Sequence, residues 1–210
     1  MHSEYGDGFE LLVTRVNPRR EKEPSACEDA SLVEAACRGD RAAFGHLYRR
    51  YARMIHGVLL SKVPVAEVDD LVQDVFVMAL RRLSTLREAQ SFGAWLAAIA
   101  RNLANDHYRR SDSTDRMDDV DPETQPGTRI AGEERDAVQV LEIIRTLPDA
   151  YRETLILRLV EGMTGPEIAA RTGLTHGSVR VNLHRGMQML RIRLSPRLDG
   201  DVSERRRRNQ

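Results

Sequence analysis

Three groups of residues in this 210-residue chain have the types and spacing to act on another molecule. One lies near the C-terminus, in Thr164-Gly-Pro-Glu-Ile-Ala-Ala-Arg-Thr-Gly-Leu-Thr-His-Gly-Ser-Val-Arg-Val. Thr164 with Glu167 three residues later spells a capping box, and Pro166 sits where a helix start tolerates proline. Gly173 supplies a tight turn, Leu174 plugs the corner, and Thr175 or Ser178 caps a following helix, so the stretch reads as a helix-turn-helix. At about 100° per residue, Val179, Leu183, Gly186, Met187, Leu190 and Leu194 share one arc of the second helix. Arg180, Val181, His184, Arg185 and Gln188 take the rest, and no acid occurs from 168 to 194. Such a helix buries one face and lays the other in a major groove, where arginine pairs with guanine edges and valine meets a thymine methyl.

A second group, Asp69, Asp70, Gln73 and Asp74, falls on one face of a helix around 68–82, with Val77 exposed among them and Phe76 at its edge. Clustered carboxylates can bind a metal, but no His or Cys joins them. A mixed acidic and apolar face suits a basic partner helix, with charge steering and Val77 or Phe76 anchoring. The third group, Trp95, Ala98, Asn102, Asn105, Asp106 and Arg109, forms a stripe on the next helix, with Arg101, Tyr108 and Arg110 adding donors and a ring. Rings beside amide and guanidinium donors suit unstacked bases.

The elements that must position these groups are helices. Phe44, Leu47, Tyr48, Tyr51, Ile55 and Leu59 recur at three- and four-residue steps, as do Val68, Leu71, Val72, Val75 and Ala79, and Phe92, Leu96, Ile99 and Leu103. Pro64 and the segment 84–90 separate them. Val138, Leu141 and Ile144, then Leu155, Leu159 and Val160 after Pro148, make a second helical block. No alternating strand pattern and no internal repeat is present. The expected fold is all-α, two small helical domains joined by a flexible acidic linker. Residues 1–30 form a flexible N-terminal extension, 31–110 one domain, 111–134 the linker, 135–194 the helix-turn-helix domain and 195–210 a basic tail.

Zero net charge conceals this division. Residues 31–110 carry 12 basic and 8 acidic groups, and 137–194 carry 8 and 5, whereas the intervening 111–136 carry 3 and 9. Two mildly basic blocks flank an acidic tether, so a neutral total does not argue against nucleic acid, which responds to local fields. Two cysteines, Cys27 and Cys37, exclude a disulfide scaffold. The acidic N-terminus lacks a secretory h-region, and no run approaches the length of a membrane helix. A soluble cytoplasmic protein is expected, without cofactor or metal.

The three faces, in this order, resemble the extracytoplasmic-function class of sigma-70 family transcription initiation factors over about 31–110 and 135–194. Asp69-Asp-Leu-Val-Gln-Asp-Val-Phe76 looks like the family's core-polymerase-binding helix. The segment from Phe92 through Trp95 to Arg110 looks like its promoter-melting segment, and Leu147 onward through the helix-turn-helix like its C-terminal DNA-binding domain. The resemblance implies a non-enzymatic subunit that binds core RNA polymerase (β′ and β subunits) and promoter DNA, duplex and single-stranded. Asp69, Asp70, Gln73, Asp74 and Phe76 would meet β′. Trp95, Arg101, Asn102, Asp106, Arg109 and Arg110, with the preceding loop 83–90, would open DNA and hold a flipped base. His176, Ser178, Arg180, Val181, His184 and Arg185 would read the upstream element. The linker would thread toward the RNA exit channel, an anti-sigma protein would restrain the chain, and the free protein would be a monomer without membrane insertion. The Arg205–Arg208 run and the long N-terminal extension depart from the family pattern. Two rivals stand beside this reading. One is a free-standing helix-turn-helix regulator; the other is a metal-dependent hydrolase using Asp69, Asp70, Asp74 and His46 or His56.

Overall fold

A computed structural model describes residues 26–114 and 132–208, with side chains for 28–110 and 137–194. Its elements are α1 (Ala26–Cys37), α2 (Arg41–Leu60), α3 (Val68–Arg82), α4 (Phe92–Thr114), α5 (Gly132–Arg145), α6 (Asp149–Leu159), α7 (Gly165–Thr172) and α8 (His176–Arg208), with short 3-10 turns at Val65–Glu67, Leu83–Thr85 and Ala89–Ser91. Among the described residues there is no strand, as the 3.6-residue apolar period requires.

Local chemistry sets the helix ends. Asp40 caps α2, its side chain accepting from the Ala42 and Ala43 amides at 2.8 and 3.0 Å. At α7 the capping box closes both ways: Thr164 N donates to Glu167 Oε2 at 2.6 Å and Glu167 N donates to Thr164 Oγ1 at 3.3 Å. Gly173 ends α7 in the left-handed region at φ +77°, which a residue with a Cβ enters at a cost. Thr175 then caps α8, accepting from Ser178 N at 3.1 Å.

The first helical unit, α1–α4, packs Leu47, Met54, Ile55 and Val58 of α2 with Val75 and Ala79 of α3 and Phe92, Leu96 and Ala100 of α4. It begins earlier than the boundary at residue 31: α1 starts at Ala26, and Asp29 is buried. The Tyr51 hydroxyl donates to Asp29 at 2.6 Å, and Arg50 pairs with both Asp29 and Glu28. Burial, reinforced by Asp29, pushes the Tyr51 phenol well above its ordinary range. The second unit, α5–α8, packs Ile144, Leu147, Leu155, Ile156, Ile168, Val179 and Leu190. α8 continues as one helix through Arg208, beyond the expected end at 194. Residues 1–25 and 115–131, and the side chains of Cys27 and of the Arg205–Arg208 run, lie outside the described residues.

Besides the linker that joins them in sequence, the two units pack directly on each other. Backbones approach closely there because of glycine. A methyl at Gly57 of α2 would stand 2.7 Å from Leu157 Cδ2 and 2.9 Å from Glu161 Cγ; one at Gly93 would stand 2.7 Å from the Arg171 carbonyl oxygen. Leu157 is fully buried, and an aliphatic side chain so placed contributes about 2 kcal/mol. Guanidiniums of the second unit also reach the carbonyls at and beyond the C-terminus of α2. Arg152 Nη1 donates to Ser61 O at 3.1 Å and Arg145 donates to Val63 O, so cations meet the negative end of the helix dipole. Arg171 donates to Arg50 O at 3.0 Å and lies over the Tyr51 ring, 5.8 Å from its centroid.

Candidate functional site

The residues of the three expected surfaces do not converge on one cleft; each group sits on its own helix. On α3, Val68, Leu71, Val72, Val75 and Ala79 turn inward, which leaves Asp69, Asp70, Gln73 and Asp74 exposed on the other side. Val77 and Leu80 remain 46% and 52% exposed beside them. Phe76 does not belong to that surface. It is buried at 4% exposure, with its ring 4.7 Å from Tyr48 and 6.3 Å from Phe44 between centroids. One residue is about 100° of helix, enough to turn Phe76 into the core and Val77 out of it. The exposed apolar side chains beside the acidic face are therefore Val77 and Leu80.

On α4 the stripe is outward: Ala98, Asn102, Asn105, Asp106, Tyr108, Arg109 and Arg110 are exposed. Arg109 lies 3.8 Å from Asp106, one turn away. Trp95 is half-buried, its ring packed 5.9 Å from Phe92. Arg101 departs from the expected open surface. Its Nε and Nη2 donate to the two carboxylate oxygens of Glu153 on α6 at 3.0 and 2.7 Å, and Nη2 also approaches Thr172 O at 3.5 Å. This is a bidentate guanidinium–carboxylate fork. It holds the Arg101 pKa above its ordinary value, against the opposing push of burial.

On α8 the expected division holds along the helix. Val179, Gly186 and Leu190 are buried, while His176, Ser178, Arg180, Val181, His184, Arg185 and Gln188 are exposed. Gly186 lets α8 close on α6, since a methyl there would stand 2.9 Å from Leu155 Cδ1. Arg180, Val181, His184 and Arg185 line one open concavity. Of the two expected caps Thr175 takes the role, and Ser178 is exposed at the helix start with its hydroxyl 2.8 Å from that of Thr175.

Glu153 and Glu161 were not anticipated. Both are buried, and both face the first unit. Glu161 accepts from His56 Nδ1 at 2.7 Å and lies 3.5 Å from Arg53 Nε. The bond to Glu161 raises the His56 pKa, against a smaller opposing effect of burial. A signal was available: Glu153, Leu157 and Glu161 follow at four-residue steps, an acid–leucine–acid row on one side of a helical turn path. The residues proposed for a hydrolase do not assemble. Among the described residues no group of three or more His, Cys, Asp or Glu is placed to hold a metal ion, and no helix is long and apolar enough to cross a membrane.

Comparison with known proteins places these surfaces in a family. Residues 47–114 match sigma-70 region 2, and residues 137–190 match sigma-70 region 4. The chain is 30% identical over 187 residues to the ECF RNA polymerase sigma factor BldN of Streptomyces coelicolor, covering 83% of this chain and 70% of that protein. It is 30% identical over 183 residues to the ECF RNA polymerase sigma-E factor of Escherichia coli K12, covering 80% of this chain and 95% of that one. Among solved structures, CnrH in complex with the cytosolic domain of CnrY superposes with a TM-score of 0.56 at 28% identity, covering 83% of this chain and 99% of that one. Two matched regions in the expected order, on helices carrying the expected faces, lead to one assignment: the chain belongs to the extracytoplasmic-function sigma factors of the sigma-70 family, the alternative specificity subunits of RNA polymerase.

Proposed function

We propose a division of labour within this sigma factor, with one task for each face. The α3 surface, Asp69, Asp70, Gln73 and Asp74 with Val77 and Leu80, docks a basic helical element of the core polymerase β′ subunit. Carboxylates steer the encounter, and the two aliphatic side chains bury area at the contact. The α4 stripe, Trp95, Asn102, Asp106, Arg109 and Arg110, captures an unstacked strand once Arg101 joins it, so DNA opens by trapping the separated state rather than by nucleotide hydrolysis. The α8 surface, His176, Ser178, Arg180, Val181, His184 and Arg185, reads an upstream duplex element in the major groove.

In this reading residues 31–110, together with the preceding turn of α1, are the polymerase-binding and melting domain, and 135–194 are the upstream-element domain. The acidic segment between them tracks the RNA exit path, the polymerase carries out the phosphoryl chemistry, and the chain itself is not an enzyme. It acts in the cytoplasm as a monomer when free, and an anti-sigma protein gripping both units is its expected restraint.

The observation that carries the reading is the simultaneous outward display of an acidic face on α3 and a basic, acid-free face on α8. Run-off transcription with purified core polymerase on pooled promoter fragments tests it. Discrete transcripts that require the protein are the expected result. Absence of transcripts together with absence of co-elution with core polymerase would favour a free-standing regulator, for which α8 alone suffices.

A further inference from the structure

The contact between the two units has the composition of a reversible closure. Three glycines bring backbones together across it: Gly57 meets Leu157 and Glu161, Gly93 meets the Arg171 carbonyl, and Gly173 meets Ala94, where an added methyl would stand 2.8 Å from Cβ. Around these close approaches the ties are ionic: Arg101 to Glu153, and His56 with Arg53 to Glu161. A buried ion pair adds little net stability because desolvation offsets most of its attraction, yet it is geometrically exacting. Interfaces between units of one chain are ordinarily polar and separable in this way. Covalent reach is no obstacle, since 17 residues, the number between Thr114 and Gly132, can span at most about 60 Å.

Of the three faces, this contact engages one. The α3 carboxylates and the α8 arginines Arg180 and Arg185 remain exposed, whereas Arg101 keeps 28% of its side-chain exposure and Glu153 keeps 11%. A fork donating both N–H directions to a carboxylate has the same geometry that it would offer to a phosphate or a base edge. We propose that the packing of α6 and α7 on α2 and α4 is an autoinhibitory latch, in which Glu153 occupies Arg101 in place of single-stranded DNA until the units part. This rests on the assignment of α4 to strand capture, and it adds a mechanism by which the free chain is kept from gripping unpaired DNA away from polymerase. In the latched state the surfaces for docking and for duplex reading stay available while strand capture is incomplete.

Two full-length variants open the latch without substituting a residue of the three faces. Gly57→Leu drives a side chain into Leu157 and Glu161, and none of the three nearest atoms around that position belongs to its own unit. Glu153→Gln keeps the shape of the acceptor and removes its charge. For both, helicity by circular dichroism verifies folding, small-angle scattering reads the radius of gyration, and anisotropy reads binding of a labelled single-stranded promoter oligonucleotide to the free chain. We expect both variants to expand and to bind the oligonucleotide at least fivefold more tightly than the native chain, with the gain lost when Arg101→Ala is added. Expansion without gain in oligonucleotide affinity overturns the latch, as does an unchanged radius in both variants. Arg101→Ala in open-complex formation with core polymerase separates the two levels: a loss there retains the strand-capture assignment even where the latch fails, and no effect removes that assignment itself.

Discussion

Arg101 on α4 and Arg185 on α8 carry the same guanidinium, and the proposed function sends both to DNA, yet the fold treats them oppositely. Arg185 lies on the side of α8 away from the arc that closes on α6 through Gly186, so packing the helix leaves the guanidinium in solvent. Arg101 lies next to Ile99 and Ala100 on the edge of a buried arc, where α6 and α7 cover it and Glu153 completes its hydrogen bonding. The difference is one of timing. A face that reads intact duplex meets a partner whose shape exists beforehand, so it can be built open. A face that holds an unpaired strand meets a partner that exists only after melting, and a premature grip on stray single strands is avoided by satisfying its cation internally.

The contrast breaks most severely on the outward side of the first unit. Asp74→Arg replaces an exposed carboxylate on α3 and presents like charge to a basic partner. We expect roughly hundredfold weaker association with core polymerase, a loss of about 3 kcal/mol in the range of charge pairs at interfaces. Helicity, radius of gyration and duplex affinity should be unaltered. Core-polymerase binding retained in co-elution removes α3 from the docking surface. Arg185→Ala is next in size. Loss of a guanidinium that pairs with base edges costs about 1–3 kcal/mol of discrimination, and the footprint over the upstream element should weaken accordingly. Glu153→Gln should leave that footprint unmoved, which keeps the outward and inward arginines experimentally separate.

The outward half of the comparison was legible in the sequence, and the inward half was not. Capping at Thr164 and Thr175, the left-handed Gly173 and the buried arc Val179–Gly186–Leu190 follow from local rules, because a helix-turn-helix is specified by its own turn and caps. An apolar period shows which side of a helix is covered, but not by what. Arg101, on the rim of such an arc, therefore reads as a surface cation until α6 is in place. Glu153 and Glu161 break the expectation that acids lie outside; only the arginines and histidine of the other unit make their burial tolerable. The burial of Phe76 is hard to read for a related reason. At the edge of an arc the angle alone does not decide burial, and the rings of Phe44 and Tyr48 do. By sequence Asp29 falls in the expected flexible extension, because its partners, Arg50 and Tyr51, lie more than 20 residues away.

A smaller effect concerns the scaffold beneath the open face. Thr164→Ala removes one side of the α7 capping box and should cost about 1 kcal/mol, lowering the melting temperature by about 2–4 °C for a chain of this size. Burial pushes the Glu167 carboxyl up, but the Thr164 amide and hydroxyl outweigh it and hold the group below the usual carboxylate range. The cap's contribution is therefore present above the ordinary Glu pKa and lost as pH falls through the lowered one. A thermal melt of Thr164→Ala that matches the native chain at neutral pH would show that the box adds nothing to the fold.

The mildest test addresses the closure itself through His56. Its ring donates to Glu161, which Arg53 also approaches, and Asp69 of α3 adds a weaker attraction; together these raise the His56 pKa when the units are closed. A raised pKa means that the closed form gains from protonation. The gain is full below the ordinary histidine value and disappears as pH rises through the raised one. Closure should therefore loosen as pH rises from the ordinary histidine value of about 6.5 through the raised one. Because the side chain is 37% exposed, solvent screening limits the effect to about two- to threefold in the opening equilibrium. Single-stranded oligonucleotide affinity measured across that span should rise by this factor in the native chain and stay level in His56→Gln. A level profile in the native chain would leave Arg101–Glu153 as the tie that holds the units closed.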